Sequence, residues 1–354
     1  MAVPVRNIYY LLCYAWNRLE TRDFVDVDAI PGNNRVVNLL GKVLAGGVAN
    51  LIRRSFDRGY VAFFQEEGRR LRGKLLLSET VKRSLLPRGR VAYYVDDLSY
   101  DVPHNRVIKA AMRALIGVPE LDPGIRSALR DHCRRLHAVT DVELTPAAFR
   151  HIQLHRNVAR YAFLVKVAHL IARSFFPDEA TGQRRFHPFT AREQEMGLLF
   201  QAFVRNFLER EQDMFNVTAP KVDWDLVPEA SSDPSWLPEM RTDVVLTNPW
   251  RRIVIETKYS ATPHQSYHGS KKLKSGHLYQ VLTYIEHLSA TTGPEPTGLL
   301  LYASVGEDWR LEYRLRGQRL LVRTLDLDRD WQAIHRDLLA MTGELAGTPD
   351  RLSA

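Results

Sequence analysis

Cysteine is almost missing from this chain: Cys13 and Cys133 are the only two in 354 residues. Two thiols so far apart in sequence suggest neither a disulfide framework nor a cysteine zinc site, and they fit a reducing compartment. Long apolar runs are also scarce. IYYLLCYAW, residues 8–16, is bracketed by Arg6 and Arg18; it is too short to span a bilayer and lacks a small-residue cleavage site. The expectation is therefore a cytoplasmic protein without a membrane partner. No internal repeat or low-complexity tract occurs, and neither a Gly-x-Ser-x-Gly elbow nor a Cys/His nucleophile pattern is found.

Two further sites are excluded by a single missing residue type. GRRLRGKL, residues 68–75, has the Gly-x4-Gly-Lys spacing of a phosphate-binding loop. Leu75 then stands where a hydroxyl must hold Mg²⁺, and three arginines crowd a loop whose backbone amides should face phosphate. The chain is thus not expected to bind GTP or ATP by itself. HIQLH (His151, His155) and HQSYH (His264, His268) give His-x3-His, but neither carries a glutamate or an evident third ligand for zinc; both read as surface histidines.

What the chain does have is ordinary globular composition, 45% apolar and 25% charged, with a net charge of +8. A mild basic excess favours an anionic partner. It is concentrated in residues 51–90, which hold eleven Lys/Arg against four Asp/Glu, including Arg69, Arg70, Arg72 and Lys74. A solvated face, a nucleic-acid surface and a surface for an acidic protein all fit that segment.

Hydrophobic periodicity predicts helices at NIYYLLCYAWNRL, with Asn7 as a possible cap, at VVNLLGKVLAGGVANLIRRSF, at NRVIKAAMRALIGV and at residues 157–176. Strands are predicted at YVAFFQEE and VAYYVDDLSY. PDEATGQRRFHPFT, rich in Pro, Gly and polar residues, is the best candidate boundary, giving domains 1–176 and 177–354. The second half reads as a long helix around EQEMGLLFQAF, strands at 240–247 and 253–259, a helix at GHLYQVLTYIEHL, a strand at TGLLLYAS, a late hairpin and a closing helix. That α-β-β-α-β order suits a mixed sheet flanked by helices; the fold class is α/β (α+β), with a mixed α/β domain first.

RTDVVLTNPWRRIVIETKYS, residues 241–260, carries the chemistry. A loop at Asn248-Pro249-Trp250-Arg251 pairs Thr247 with Arg252, Leu246 with Ile253, Val245 with Val254 and Val244 with Ile255. Asp243 then lies directly across from Glu256, with Cβ atoms about 4.5–5.5 Å apart, and alternation puts Lys258 on the face of Glu256. Opposed carboxylates destabilise a sheet unless a cation lies between them. Together with the carbonyl of Thr257 they offer hard oxygen ligands for Mg²⁺ or Mn²⁺, while Lys258 can orient water or neutralise developing charge. The plainer alternative is a hairpin edge with solvated charges. Glu195 on the preceding helix could reach the same metal directly or through water. Gln280 and Tyr284 share one face of the following helix, and Lys271, Lys272 and Lys274, in the loop before it, could contact phosphates.

These residues resemble the PD-(D/E)xK nuclease superfamily. In that pattern Asp243, Glu256 and Lys258 are the motif, Glu195 the helical acid and Gln280 with Tyr284 the following-helix motif; Thr242 replaces the proline. PVRNIYYLLCYAWNRL, AIPGNN (29–34), EMGLLFQAF, LPEMRTDVVL and IVIETKY further resemble McrC, the nuclease subunit of McrBC modification-dependent restriction systems. The resemblance spans nearly the whole chain. It implies that the N-terminal domain docks into a hexameric ring of an AAA+ GTPase of the McrB type and stimulates it, so GTP acts only through that partner. It implies that the C-terminal domain cuts double-stranded, 5-methylcytosine-containing DNA using Mg²⁺ or Mn²⁺. The alternatives are a non-cleaving adaptor of the GTPase and a free-standing repair nuclease.

Overall fold

The first helix sets the organisation of the chain. In the computed structural model, which describes residues 3–19, 36–54, 56–67, 74–150, 152, 161–177, 184–224, 233–260, 264–267 and 270–346, α1 (Val5–Ala15) is buried at all its positions but one. Asn7 is not its cap. It lies inside the helix, 0% exposed, and its Nδ2 donates to the carbonyls of Leu327 and Arg329, each at 2.7 Å. At the other end Asn206 Nδ2 donates to the carbonyls of Tyr14 and Ala15 at 3.0 Å, satisfying groups a helix terminus leaves open. Tyr10 and Tyr14 pack their rings on Phe203, and Tyr10 also on Trp331. A helix apolar all round has to be buried, and its partners come from the other end of the sequence. Accordingly the compact units are Ala29–Pro188 and Met1–Asp28 with Phe189–Ala354, whereas the expected division at 176/177 left α1 with the first unit. The candidate boundary PDEATGQRRFHPFT contains the start of the second stretch, Phe189.

The unit Ala29–Pro188 contains α2 (Val36–Arg53), β1 (Gly59–Glu67), β2 (Lys74–Leu75), α3 (Leu77–Lys82), β3 (Val91–Ser99), α4 (Pro103–Ile116), α5 (Pro123–Arg135), α6 (Tyr161–Arg173), β4 (Phe175–Pro177) and β5 (Arg184–Phe186). β1, β3 and β2 form an antiparallel sheet in that order. α2 is long and apolar enough to cross a membrane by composition, but it packs against α4, α5 and α6 as a core helix does. Sequence periodicity overlooked α5, which is rich in charge; its start is marked by Asp122, whose carboxylate accepts from the amides of Gly124 and Ile125. The predicted helix at 157–176 is shorter, because Phe175–Pro177 forms a strand. AIPGNN, His151, His155, His268, Arg69, Arg70 and Arg72 lie outside the described residues, whereas Lys74 begins β2.

The other unit holds α7 (Glu193–Glu211), β6 (Asn216–Thr218), β7 (Lys221–Val222), β8 (Met240–Arg241), β9 (Val244–Thr247), β10 (Arg252–Tyr259), β11 (His264–Tyr267), β12 (Ser270–Leu273), α8 (Ser275–Ser289), β13 (Pro296–Ser304), β14 (Arg310–Leu315), β15 (Gln318–Asp326) and α9 (Trp331–Ala346). His264 thus begins a strand. Six strands form one mixed sheet in the order β14-β15-β13-β10-β9-β6. β10, β13 and β15 run parallel and the outer pairings are antiparallel. The expected mixed sheet, late hairpin and closing helix are therefore present. The strand expected over 240–247 is broken at Thr242 and Asp243: β8 pairs with β7, and only β9 joins the main sheet.

α8 seals one face of the sheet by setting Val281 and Ile285 against Leu300, Tyr302, Leu320 and Val322. Gly298 makes this approach possible, since a Cβ there would stand 2.5 Å from Ile285 Cδ1 and 3.1 Å from Val281 Cγ2. Gly298→Val is expected to lift α8 and to destabilise this unit by about 1–3 kcal/mol, the usual cost of overpacking a filled core. Denaturant unfolding would measure it, and an unchanged midpoint would contradict the close packing.

Candidate active site

The turn at Asn248–Arg251 fixes the register. Asn248 Oδ1 accepts from the amides of Trp250 and Arg251 at 3.0 and 2.8 Å, a side-chain mimic of a backbone turn. From there the ladder runs Thr247↔Arg252, Leu246↔Ile253, Val245↔Val254 and Val244↔Ile255, as the sequence predicts. The next pair departs from the prediction. Asp243 lies on a bend before β9, outside the ladder, and its Oδ2 accepts from Thr257 N at 2.8 Å and Thr257 Oγ1 at 2.6 Å. Asp243 is thus not a ladder partner of Glu256. Turning the carboxylate onto a backbone amide and a hydroxyl gives it two donors that a direct cross-strand position facing another carboxylate would not supply.

Glu256 is the buried member, 2% exposed. Its Oε1 accepts from Lys258 Nζ at 2.6 Å, while Oε2 is buried with no hydrogen-bond partner among the described residues. Burial, and then the negative charge of Asp243, push its pKa from 4.5 up to about 7. Burial also raises Asp243, against the opposing hydrogen bonds of Thr257 and the charge of Lys258. Two carboxylates that resist ionising together, one with an orphaned buried oxygen, are a donor set short of a cation.

Lys258 is held from both sides. Besides Glu256 it donates to Gln280 Oε1 at 2.8 Å; Gln280 Nε2 donates to Tyr284 OH at 3.1 Å, and that hydroxyl donates to the carbonyl of Arg241, also at 3.1 Å. The chain of bonds runs from the β10 carboxylate through one face of α8 back to the residue two before Asp243. Residues four apart share a helix face, which is why Gln280 and Tyr284 meet. Both ends of α8 are fastened to the sheet. His277 Nδ1 lies 2.9 Å from the hydroxyl of the buried Tyr302 on β13. Arg252, 8% exposed, donates from Nη1 to the Leu288 carbonyl at 2.7 Å and to Thr291 Oγ1 at 2.8 Å, and from Nη2 to the Thr292 carbonyl. Gly293 lets the arginine in: its φ is +129°, and a Cβ there would fall 2.0 Å from Nη2.

Sequence reasoning passed over Arg252 and His277. The signal for His277 was present, since it precedes Gln280 by three residues on the same helical face. Burial first, then the charges of Lys258 and Lys274, lower its basicity to about 4, so a neutral imidazole stands near the lysine at pH 7.

The remaining candidates lie at different removes. Glu195 is on α7 with Oε1 3.4 Å from Arg192 Nη1. Among the described residues no three His, Cys, Asp or Glu side chains gather as an ion cage. α8 covers the sheet face that carries Val254 and, by alternation, Glu256 and Lys258, and α7 packs on β10. Lys271 and Lys272 are not in a loop: they belong to β12, which pairs with β11. Lys272 is exposed. Lys274 precedes α8, and its Nζ donates to Ser260 Oγ at 2.9 Å.

An acidic pair, Glu256 buried and Asp243 half-buried, with a lysine beside it on a mixed sheet flanked by helices, defines a candidate hydrolytic centre of the kind that acts on phosphate esters. The comparisons place the whole chain. Residues 7–303 match the McrBC 5-methylcytosine restriction system component family, and the chain belongs to that family. It is 31% identical over 342 residues to the type IV methyl-directed restriction enzyme EcoKMcrBC of Escherichia coli K12, covering 97% of this chain and 98% of that protein. Its fold is similar to a chain of the tetradecameric assembly of Thermococcus gammatolerans McrB AAA+ hexamers with bound McrC. The TM-score is 0.56 at 16% identity, over 96% of this chain and 76% of the other.

Proposed function

We propose that this chain is the DNA-cleaving subunit of a GTP-dependent, methyl-directed restriction complex, a metal-dependent endonuclease that acts with an AAA+ GTPase ring of the McrB type in the cytoplasm. The observation that carries the chemistry is the orphaned, buried Oε2 of Glu256 beside Asp243. Asp243 and Glu256, with the Thr257 carbonyl, would hold Mg²⁺ or Mn²⁺; Glu195 is kept for a contact through water. Bound there, the ion would supply charge stabilisation on the phosphate and a more acidic water. Glu256, once ionised, accepts from Lys258 and keeps the ammonium in place. Lys258 has one N–H left after Glu256 and Gln280, and it donates that bond to the attacking water or to a phosphate oxygen. Gln280, fixed by Tyr284, prevents Lys258 from collapsing fully onto Glu256. Lys271, Lys272 and Lys274 are suited to contact DNA phosphates beside the site.

Family membership and 31% identity across the full length of EcoKMcrBC support the restriction role. The resemblance to McrC in an assembly with McrB hexamers supports a GTPase ring as partner. The unit Ala29–Pro188 carries no part of the acidic site, and we assign it to docking on the ring, with the basic 51–90 segment serving ring or DNA. The nucleotide is then the partner's, and the substrate is methylated double-stranded DNA. In the reconstituted complex Asp243→Ala is expected to abolish cleavage of methylated DNA while stimulation of the partner's GTPase continues. Undiminished cleavage would overturn the site. A wild type that stimulates the GTPase and never cuts would favour the adaptor reading; strong cutting by the isolated chain would favour a repair nuclease.

A further inference from the structure

We propose that His277 is a phosphate-binding residue of the cutting site, its Nε2–H donating to an oxygen of the DNA strand between Lys258 and Lys274. The substrate in this inference rests on the nuclease reading; the donor rests on the geometry of α8. Lys274, His277, Gln280 and Tyr284 follow one another at spacings of three and four, one row along the helix. Two of them engage β10 and the residue after it: Lys274 Nζ donates to Ser260 Oγ at 2.9 Å, and Gln280 Oε1 accepts from Lys258 Nζ at 2.8 Å. His277 falls between those two contacts. It reaches the neighbouring strand instead, with Nδ1 2.9 Å from the hydroxyl of Tyr302 on β13. Tyr302 is the register partner of Lys258, so the imidazole is anchored beside the lysine.

That anchor decides which ring nitrogen carries the proton. Tyr302 is 0% exposed, and among the described residues its hydroxyl has His277 as partner. Were Nδ1 the donor, the Tyr302 O–H would be buried without an acceptor, which is the costlier arrangement. The hydroxyl therefore donates to Nδ1, and the proton of the neutral ring is on Nε2. Trp309 packs edge-on against the Tyr302 ring at 5.9 Å, which holds that hydroxyl in place. Burial, then the charges of Lys258 and Lys274, keep the imidazole neutral at pH 7 against the opposing charge of Glu193. The residue is half-buried, and no bond among the described residues takes Nε2, so a fixed N–H is left to give. A neutral donor suits the place. A third cation would meet the repulsion of two lysines, whereas an uncharged N–H adds direction, and a phosphodiester strand brings oxygens to all three donors.

Single-turnover cleavage by the reconstituted complex tests the contact, with two opposed substitutions. Glutamine puts an amide nitrogen where Nε2 stands, while asparagine keeps only the bond to Tyr302. His277→Gln is expected to cut near the wild-type rate. His277→Asn is expected to lose about 10–100-fold at saturating DNA, the weight of one hydrogen bond to a charged group, with its melting temperature and its stimulation of the partner's GTPase unchanged. A role confined to fastening α8 gives the reverse order, with Asn active and Gln impaired. In the histidine-labelled full chain, ¹⁵N NMR at pH 7 should find the His277 proton on Nε2, and Tyr302→Phe should spread it over both nitrogens. That reverse order, equal rates in the Gln and Asn variants, or a proton found on Nδ1 in the wild type would overturn the proposal. If Lys258→Ala is impaired in the same assay, the nuclease reading survives that failure; a wild type that never cuts would remove the nuclease reading and this role with it.

Discussion

Glu256→Gln is expected to make the metal-free protein more stable at pH 8 while abolishing cleavage. The sign follows from the raised pKa of the buried carboxyl. Its ordinary value is 4.5 and its folded value about 7, so between those limits the folded state holds a proton that the unfolded chain has lost. Stability therefore falls as pH rises from about 4.5 to 7, and the full penalty persists above 7. At about 1.4 kcal/mol per pH unit that penalty is roughly 3 kcal/mol, an order-of-magnitude figure for a buried group beside Asp243 and Lys258. Glutamine keeps the shape and a hydrogen bond to Lys258 without the charge. The melting temperature of the variant should exceed that of the wild type by several degrees at pH 8, and the two should converge near pH 5. Equal melting temperatures at both pH values would contradict the buried charge. Mg²⁺ should offset the penalty in the wild type and leave the variant unmoved.

Lys258→Ala is expected to lower cleavage by about 10²–10³-fold at saturating DNA, the loss commonly seen when one preorganised charge-stabilising donor is removed. DNA binding should change much less, because the basic residues around β12 remain. The substitution also strips Glu256 of its one hydrogen-bond donor among the described residues, and the carboxyl should then hold its proton to a still higher pH. The pH at which activity rises would shift upward in the residual activity of the variant. Lys258→Arg should not rescue, since a planar fork cannot satisfy Glu256 Oε1 and Gln280 Oε1 from one nitrogen while leaving a third bond free. Single-turnover cleavage in the reconstituted complex measures all three effects; wild-type rates for Lys258→Ala would remove the lysine from the mechanism.

Much of this site was legible in the sequence. VVL and IVI on either side of an Asn-Pro turn determine the four-pair register, and four-residue spacing puts Gln280 with Tyr284. The bend at Asp243 was not legible, because it depends on competition between a ladder position and the Thr257 amide, both local and both favourable. Glu195 illustrates a second limit: helical spacing locates a residue on its own helix, but its distance from residues on the sheet is settled by packing. The fastening of α8 by Arg252 and His277 depends on contacts with Leu288, Thr291 and Tyr302 that no short motif encodes. The placement of α1 was the least accessible, since Asn7 is bonded to Leu327 and Arg329, more than 300 residues away.

Asp243 and Glu256 together are expected to hold a divalent cation. Titration of Mn²⁺ into the full chain, followed by calorimetry in two buffers of different ionisation heat, tests it most directly. One tight ion per chain is expected, with proton release that approaches one per ion below pH 7 and fades above it, and loss of the ion in both Asp243→Ala and Glu256→Gln. Equal Mn²⁺ affinity in wild type and both variants, or binding without proton release at pH 6, would contradict it.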